Sequence, residues 1–140
     1  MVYDIVSERS GPNETIRSPS DTVRLLKRYE KKRQEHFIVL SLRGDHTVER
    51  IRLVSIGLVN KTLVHPREVF IGAIKDNATA LILAHNHPSG RVDPSNEDRE
   101  VTKRLVDAGK LIGIPVLDHI IFGSGGYSSF LESGCMPVNI

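Results

Sequence analysis

The stretch Thr79-Ala80-Leu81-Ile82-Leu83-Ala84 is apolar without alternation and runs directly into His85-Asn86-His87-Pro88. A short run of this kind, with no polar face, reads as a strand buried on both sides. Such a strand sits in the middle of a sheet, and here it must end at a pair of histidines. Residues i and i+2 of a strand point to the same face, so His85 and His87 can aim both imidazoles at one point. Neutral imidazole is a favoured zinc ligand. The loop that follows contains Pro88, Gly90 and Pro94, which can turn the chain back tightly, and Ser95-Asn96-Glu97-Asp98 opens the next helix. Asp98, in the first turn, would bring a carboxylate to the two histidines. Two histidines and a carboxylate leave the fourth tetrahedral position for water, the pattern of a catalytic rather than a structural zinc site. Ser95-x-x-Asp98 is equally a plain capping pattern, with serine as N-cap and Asp98 at N3. The two readings are compatible, because a carboxylate held at N3 can still turn one oxygen toward a metal.

The elements around this strand follow from local signals. Ser18-Pro19-Ser20-Asp21 starts a helix, with Ser18 as N-cap and Pro19 at the first helical position. Val23, Leu26 and Tyr29, with Leu25, make its buried stripe. Glu35 to Leu42 is apolar on both faces and reads as a central strand. Arg43 to His46 is a turn, and Thr47 to Ile56 is a second strand and hairpin partner, ended by Gly57. His65-Pro66 opens a second helix, with Val69, Phe70, Ala73 and Ile74 as its apolar face and Asn77 at its end. A third helix runs from Ser95 to Gly113 and buries Val101, Leu105, Ala108 and Ile112. Pro115 to Phe122 is a strand, residues 123–126 a turn, and Tyr127 to Leu131 a last short strand. The order predicts an α/β fold, a mixed β-sheet flanked by helices, in a single domain over 18–132. Residues 1–17 form a flexible arm or an edge strand, and 133–140 a tail.

The bulk properties exclude more than they select. A chain of 140 residues has the length of one domain and can bury a core without disulfides. No apolar run approaches the roughly 20 residues of a membrane span, and the N-terminus has no signal-peptide pattern. One cysteine, Cys135, cannot form an internal disulfide, so a cytoplasmic location is the default. A net charge of +2 does not argue for nucleic-acid binding. Arg24, Lys27, Arg28, Lys31, Lys32 and Arg33 do cluster, however. That stretch reads either as a phosphate-contacting patch or as the solvated face of an amphipathic helix.

His85-Asn86-His87-Pro88-Ser89-Gly90, with Pro94-Ser95-x-x-Asp98 and Thr102 beyond, resembles the RadC family of the JAB/MPN superfamily, which shares the cytidine-deaminase-like fold. The zinc peptidases of that superfamily carry the JAMM motif: a glutamate upstream, then His-x-His, seven residues, Ser, two residues, Asp. Glu35-His36-Phe37, Gly57, Leu63 to Phe70 and Leu117-Asp118-His119-Ile120-Ile121 resemble RadC as well. The likeness covers roughly 18–132. It implies one zinc ion per chain on His85, His87 and Asp98. Ser95 would position the substrate and stabilise the oxyanion. Glu35 would be the general base, with His36 in that slot if the register slips by one. The implied function is a JAMM-type zinc metallopeptidase or isopeptidase, in which zinc-bound water attacks an amide carbonyl of a peptide or conjugate substrate.

The alternative is a non-catalytic, DNA-associated or scaffolding module, since RadC-like proteins carry a DNA-repair label. Many of them have an N-terminal helix-hairpin-helix region, and no such hairpin precedes residue 35 here. An HNH nuclease is disfavoured, because the residues in that name are scattered through a ββα unit. A zinc deaminase would need His-x-Glu and Pro-Cys-x-x-Cys. His65 reads as a helix-start residue and His46 as a turn residue. Asp118-His119 reads as a buried structural pair or as partners of the metal ligands. Cys135 has no assigned role.

Overall fold

The computed structural model describes residues 6–7 and 14–137. Most of the expected N-terminal arm and the end of the tail, at 1–5, 8–13 and 138–140, lie outside the described residues. Among the described residues, six strands form one mixed sheet: β1 (Val6–Ser7), β2 (His36–Leu42), β3 (Val48–Ile56), β4 (Ala80–Asn86), β5 (Val116–Gly123) and β6 (Gly126–Ser129). Their order is β1-β3-β2-β4-β5-β6. The expected hairpin of β2 and β3 is present, and β4 pairs antiparallel with β2 and parallel with β5. A parallel neighbour needs a crossover, which α3 (Asn96–Ile112) supplies. The other helices are α1 (Pro19–Leu25) and α2 (Pro66–Lys75). Among the described residues, no helix is long and apolar enough to cross a membrane.

Every residue of β4 is buried, as its unbroken apolar run predicts. The sheet therefore separates two cores. Phe37, Val39, Leu81 and Leu83 pack with Val69, Phe70, Val101 and Leu105. Ile38, Leu40, Ile82, Ala84, Ile120 and Phe122 pack with Leu26 and Tyr29. Odd-numbered residues of β2 and β4 thus face α2 and α3, and even-numbered ones face the α1 side. This alternation continues past the strand ends and decides where His85, Asn86 and His87 go.

Several helical details differ from the expected pattern. The first helix stops at Leu25, and a 3-10 turn follows at Lys27–Tyr29. With three residues per turn, i and i+3 align, so Leu26 and Tyr29 can both reach the core as the chain swings toward β2. The cationic stretch consequently does not line the face of one helix. Ile74 and Ile112, expected in buried stripes, are 57% and 46% exposed. Small residues take their places. Gly72 lies under the Arg52 side chain, where a Cβ would stand 2.6 Å from Arg52 Cδ, and a Cβ at Gly109 would stand 2.4 Å from the carbonyl oxygen of Ile114. The last strand ends at Ser129, and Leu131 is exposed. His46 is a turn residue as expected, with φ of 66°.

One charged cluster fastens α2 to the sheet. Arg52 grips Asp76 with Nε at 2.8 Å and Nη2 at 2.6 Å, and Ser41 donates its hydroxyl at 2.7 Å. Burial alone would raise the Asp76 carboxyl, but Arg52 and Ser41 outweigh it and hold the group below the usual carboxylate range. Asp76→Ala would strand the Arg52 guanidinium, so the variant should lose about 3–5 kcal/mol in urea unfolding. A loss below about 1 kcal/mol would mean that water replaces the pair at little cost.

Candidate metal centre

The end of β4 delivers His85 and His87 to the α2/α3 side of the sheet. Phe37 of β2 pairs with His85, which brings Glu35, two residues earlier on the antiparallel strand, beside His87. Donor atoms of Glu35, His85 and His87 lie within 4.8 Å of one another. His36 points the other way: its ring packs against Tyr29 at 5.5 Å. Glu35, not His36, therefore faces the histidines. Its Oε1 accepts from the Val59 N–H at 3.1 Å.

Asp98 arrives from the first turn of α3. Ser95 is the N-cap: its Oγ accepts from the Asp98 N–H at 3.0 Å, and Asp98 Oδ2 accepts from the Ser95 N–H at 2.8 Å. This capping box does not consume the carboxylate. Oδ1 stands 3.2 Å from His85 Nε2, and Oδ2 stands 3.2 Å from His87 Nε2. The two Nε2 atoms are 3.1 Å apart. Capping and convergence on the histidines occur together.

The donor set fits a zinc ion. Tetrahedral zinc with bonds of about 2.0–2.1 Å spaces its donors roughly 3.3 Å apart, close to the separations seen here. Proton placement agrees. His87 Nδ1 donates to the Arg91 carbonyl at 2.8 Å, so a neutral ring presents Nε2 as a bare lone pair. Lone pairs this close repel unless a cation or a shared proton lies between them. Without metal, a proton on His87 Nε2, which faces both Asp98 Oδ2 and His85 Nε2, fills that role. A hydrogen bond to the Asp98 carboxylate, opposed by burial, raises the His87 pKa above its ordinary value. Burial would raise Asp98, but His85 and His87 hold its carboxyl far below the usual range.

The cleft over these groups has a volume of about 430 Å³ and is lined by Glu35, His87, Ser95 and Asp98 together with Leu58, Val59 and Asn60. Pro88 and Ser89 line it from the loop after β4. That loop is fastened from behind: the Ser128 hydroxyl donates to the Val92 carbonyl at 2.6 Å, and a Cβ at Gly125 would stand 2.7 Å from the Gly90 carbonyl oxygen.

Sequence reasoning assigned no role to Asn86. It lies on the opposite face from its two histidine neighbours and is fully buried. Its Oδ1 accepts from the His36 N–H at 2.7 Å, and its Nδ2 donates to the carbonyls of Gln34 at 3.1 Å and Lys32 at 3.3 Å. Asn86 thereby fixes the backbone on both sides of Glu35. The signal was available: an amide in a buried strand has to find several partners. The Asp118-His119 pair splits in two. His119 Nε2 meets His85 Nδ1 at 2.8 Å. Asp118 instead accepts from the Ser129 hydroxyl at 2.6 Å and from the Leu131 N–H at 2.9 Å, closing the β5–β6 hairpin. His65 caps α2, its ring accepting from the Arg67 N–H at 3.1 Å.

The RadC-like JAB domain family matches residues 16–135. A UPF0758 protein of Alkaliphilus metalliredigens is 52% identical over 124 residues, covering 86% of this chain and 53% of that protein. A UPF0758 protein of Caldanaerobacter subterraneus is 50% identical over 127 residues, covering 89% and 54%. One from Symbiobacterium thermophilum is 55% identical over 102 residues, covering 73% and 44%. The chain spans about half the length of the curated relatives it matches.

Because protons and metal compete for the same lone pairs, zinc affinity should fall as pH drops from about 8 to about 6. The fall should begin above the ordinary imidazole value of about 6.5, since His87 is raised. The metal-free fold follows the reverse sign: the His87–Asp98 pair stabilises fully below about 6.5, and that contribution is lost as pH rises through the raised value. Competition against a chromophoric chelator across this range measures the first effect, and a flat profile would contradict it.

Proposed function

The chain belongs to the RadC-like JAB domain family, and we propose that it is a zinc-dependent hydrolase of amide bonds in a peptide or conjugate substrate. The observation that carries this reading is the placement of Glu35. A carboxylate stands beside two imidazoles and Asp98, is anchored by the Val59 amide, and opens to the cleft. A structural metal site has no use for a second carboxylate facing open space; hydrolysis needs one.

His85, His87 and Asp98 would hold zinc. When bound, zinc supplies Lewis acidity, lowering the pKa of water and polarising a carbonyl. Glu35 takes the proton from the attacking water and returns it to the leaving amine, acting first as base and then as acid. Ser95 stands at the cleft with its Oγ already accepting from the Asp98 amide, which leaves its hydroxyl proton to stabilise the oxyanion that forms on the substrate. Asn86, through the backbone of residues 34–36, keeps Glu35 at its station.

Glu35→Gln should keep zinc and lower hydrolysis by about 10²–10⁴-fold, assayed by mass spectrometry on libraries of peptides and isopeptide-linked conjugates. Cleavage at the wild-type rate would remove the base assignment. His87→Ala should lose the metal; full zinc occupancy by elemental analysis would remove the ligand assignment. A DNA-associated role is the second reading, favoured by exposed Lys31, Lys32 and Arg33, which precede Glu35 with Gln34 between. It requires duplex affinity that falls steeply with salt.

A further inference from the structure

Behind His85, on the side away from the cleft, three polar groups form a buried line. His85 Nδ1 lies 2.8 Å from His119 Nε2, His119 Nδ1 meets Thr102 Oγ1, and Thr102 Oγ1 lies 2.7 Å from the carbonyl oxygen of Asp98. His85, Thr102 and His119 have no exposed surface. The His119 ring is stacked on Phe130, with centroids 4.8 Å apart and planes at 18°, and meets Phe37 edge-on at 5.7 Å and 83°. Held between two aromatic rings, it cannot turn to other partners.

Counting protons along this line gives it a direction. A carbonyl oxygen only accepts, so the Thr102 hydroxyl proton belongs to the Asp98 carbonyl. Oγ1 then offers a lone pair to His119 Nδ1, which must carry the N–H. A neutral imidazole has one N–H, so His119 Nε2 is bare and His85 Nδ1 supplies the proton between the rings. His85 Nε2 is left without a proton, and it is this atom that faces His87 and Asp98. The reverse direction, with Thr102 donating to His119, would leave the hydroxyl oxygen and the Asp98 carbonyl as two acceptors in contact.

We infer that Thr102 and His119 are a tautomer relay: positioning residues that hold His85 in its Nδ1–H form, so that Nε2 is ready to coordinate. The purpose of the relay rests on the zinc reading above; its proton arrangement does not. The relay also ties α3 into the site twice. Thr102 grips the main chain of Asp98, the residue whose side chain supplies the carboxylate, so one hydroxyl registers two of the proposed ligands against each other.

The test is long-range ¹H–¹⁵N correlation NMR of ¹⁵N-histidine-labelled, metal-free protein at mildly alkaline pH. The expected result is the Nδ1–H tautomer for both His85 and His119; His85 as Nε2–H overturns the relay. Thr102→Val keeps the side-chain volume and removes the acceptor. It should move the His85 ¹⁵N signature and weaken zinc binding by about 10–100-fold, with Thr102→Ser restoring both. A Thr102→Val protein with wild-type His85 signals and wild-type zinc affinity overturns the inference, and lowered thermal stability alone does not rescue it. If Thr102→Val fails to fold, the wild-type spectrum still decides. If the wild-type protein binds no zinc, the hydrolase reading falls, and the metal-free tautomers still decide the relay.

Discussion

A strand buried on both faces must send consecutive side chains to opposite sides, and at the end of β4 this constraint organises everything else. His85 and His87 turn to the side of α2 and α3 and meet Asp98 there. Asn86, between them, turns to the α1 side and takes hold of the segment that carries Glu35. Two halves of one site are thus built from three consecutive residues whose separation by face is not a choice. A one-residue slip of register would exchange their positions and dissolve both halves together.

Once His87 has given up its proton, the cluster itself does not favour folding. Two imidazoles and a carboxylate packed within hydrogen-bond distance, one ring fully buried, are held together against desolvation and mutual repulsion. What keeps them there is the apolar packing on both faces of the sheet, along with stiff connections. The capping box at Ser95 and Asp98 sets the first turn of α3. The loop after β4 is closed against the β5–β6 hairpin at Gly123 and Gly125, where side chains would not fit. This loop and the Leu58–Asn60 segment both line the cleft.

Much of this was legible in the sequence, for reasons that can be named. The unbroken apolar run fixed β4, and a glycine with φ of 89° ended α3 where a left-handed cap was expected. The His-x-His spacing, read with strand alternation, placed both rings together. The residues that escaped are those whose role depends on a partner distant in sequence. Asn86 reaches back to Lys32, Gln34 and His36; His119 and Thr102 meet only when β5 docks beside β4 under α3. The helical stripes went astray at Ile74 and Ile112 because periodicity counts apolar side chains, while the chain used Gly72 and Gly109 for its closest approaches. Small residues carry no hydrophobic signal even when their size is the reason two elements can touch.

The order in which the site's parts come together follows from the crossover. His85, His87 and Asp98 occupy one short stretch, so closing the loop between them costs little chain entropy. Glu35 joins only after β2 pairs with β4, and His119 only after α3 has carried the chain back to β5. Under the proposed reading, capture of a metal and competence to use it would therefore be separable in time. Under the proposed zinc reading, a chain still emerging or refolding would hold the ion on its local ligands long before a base stood over it, a half-made metal binder that would not yet cut.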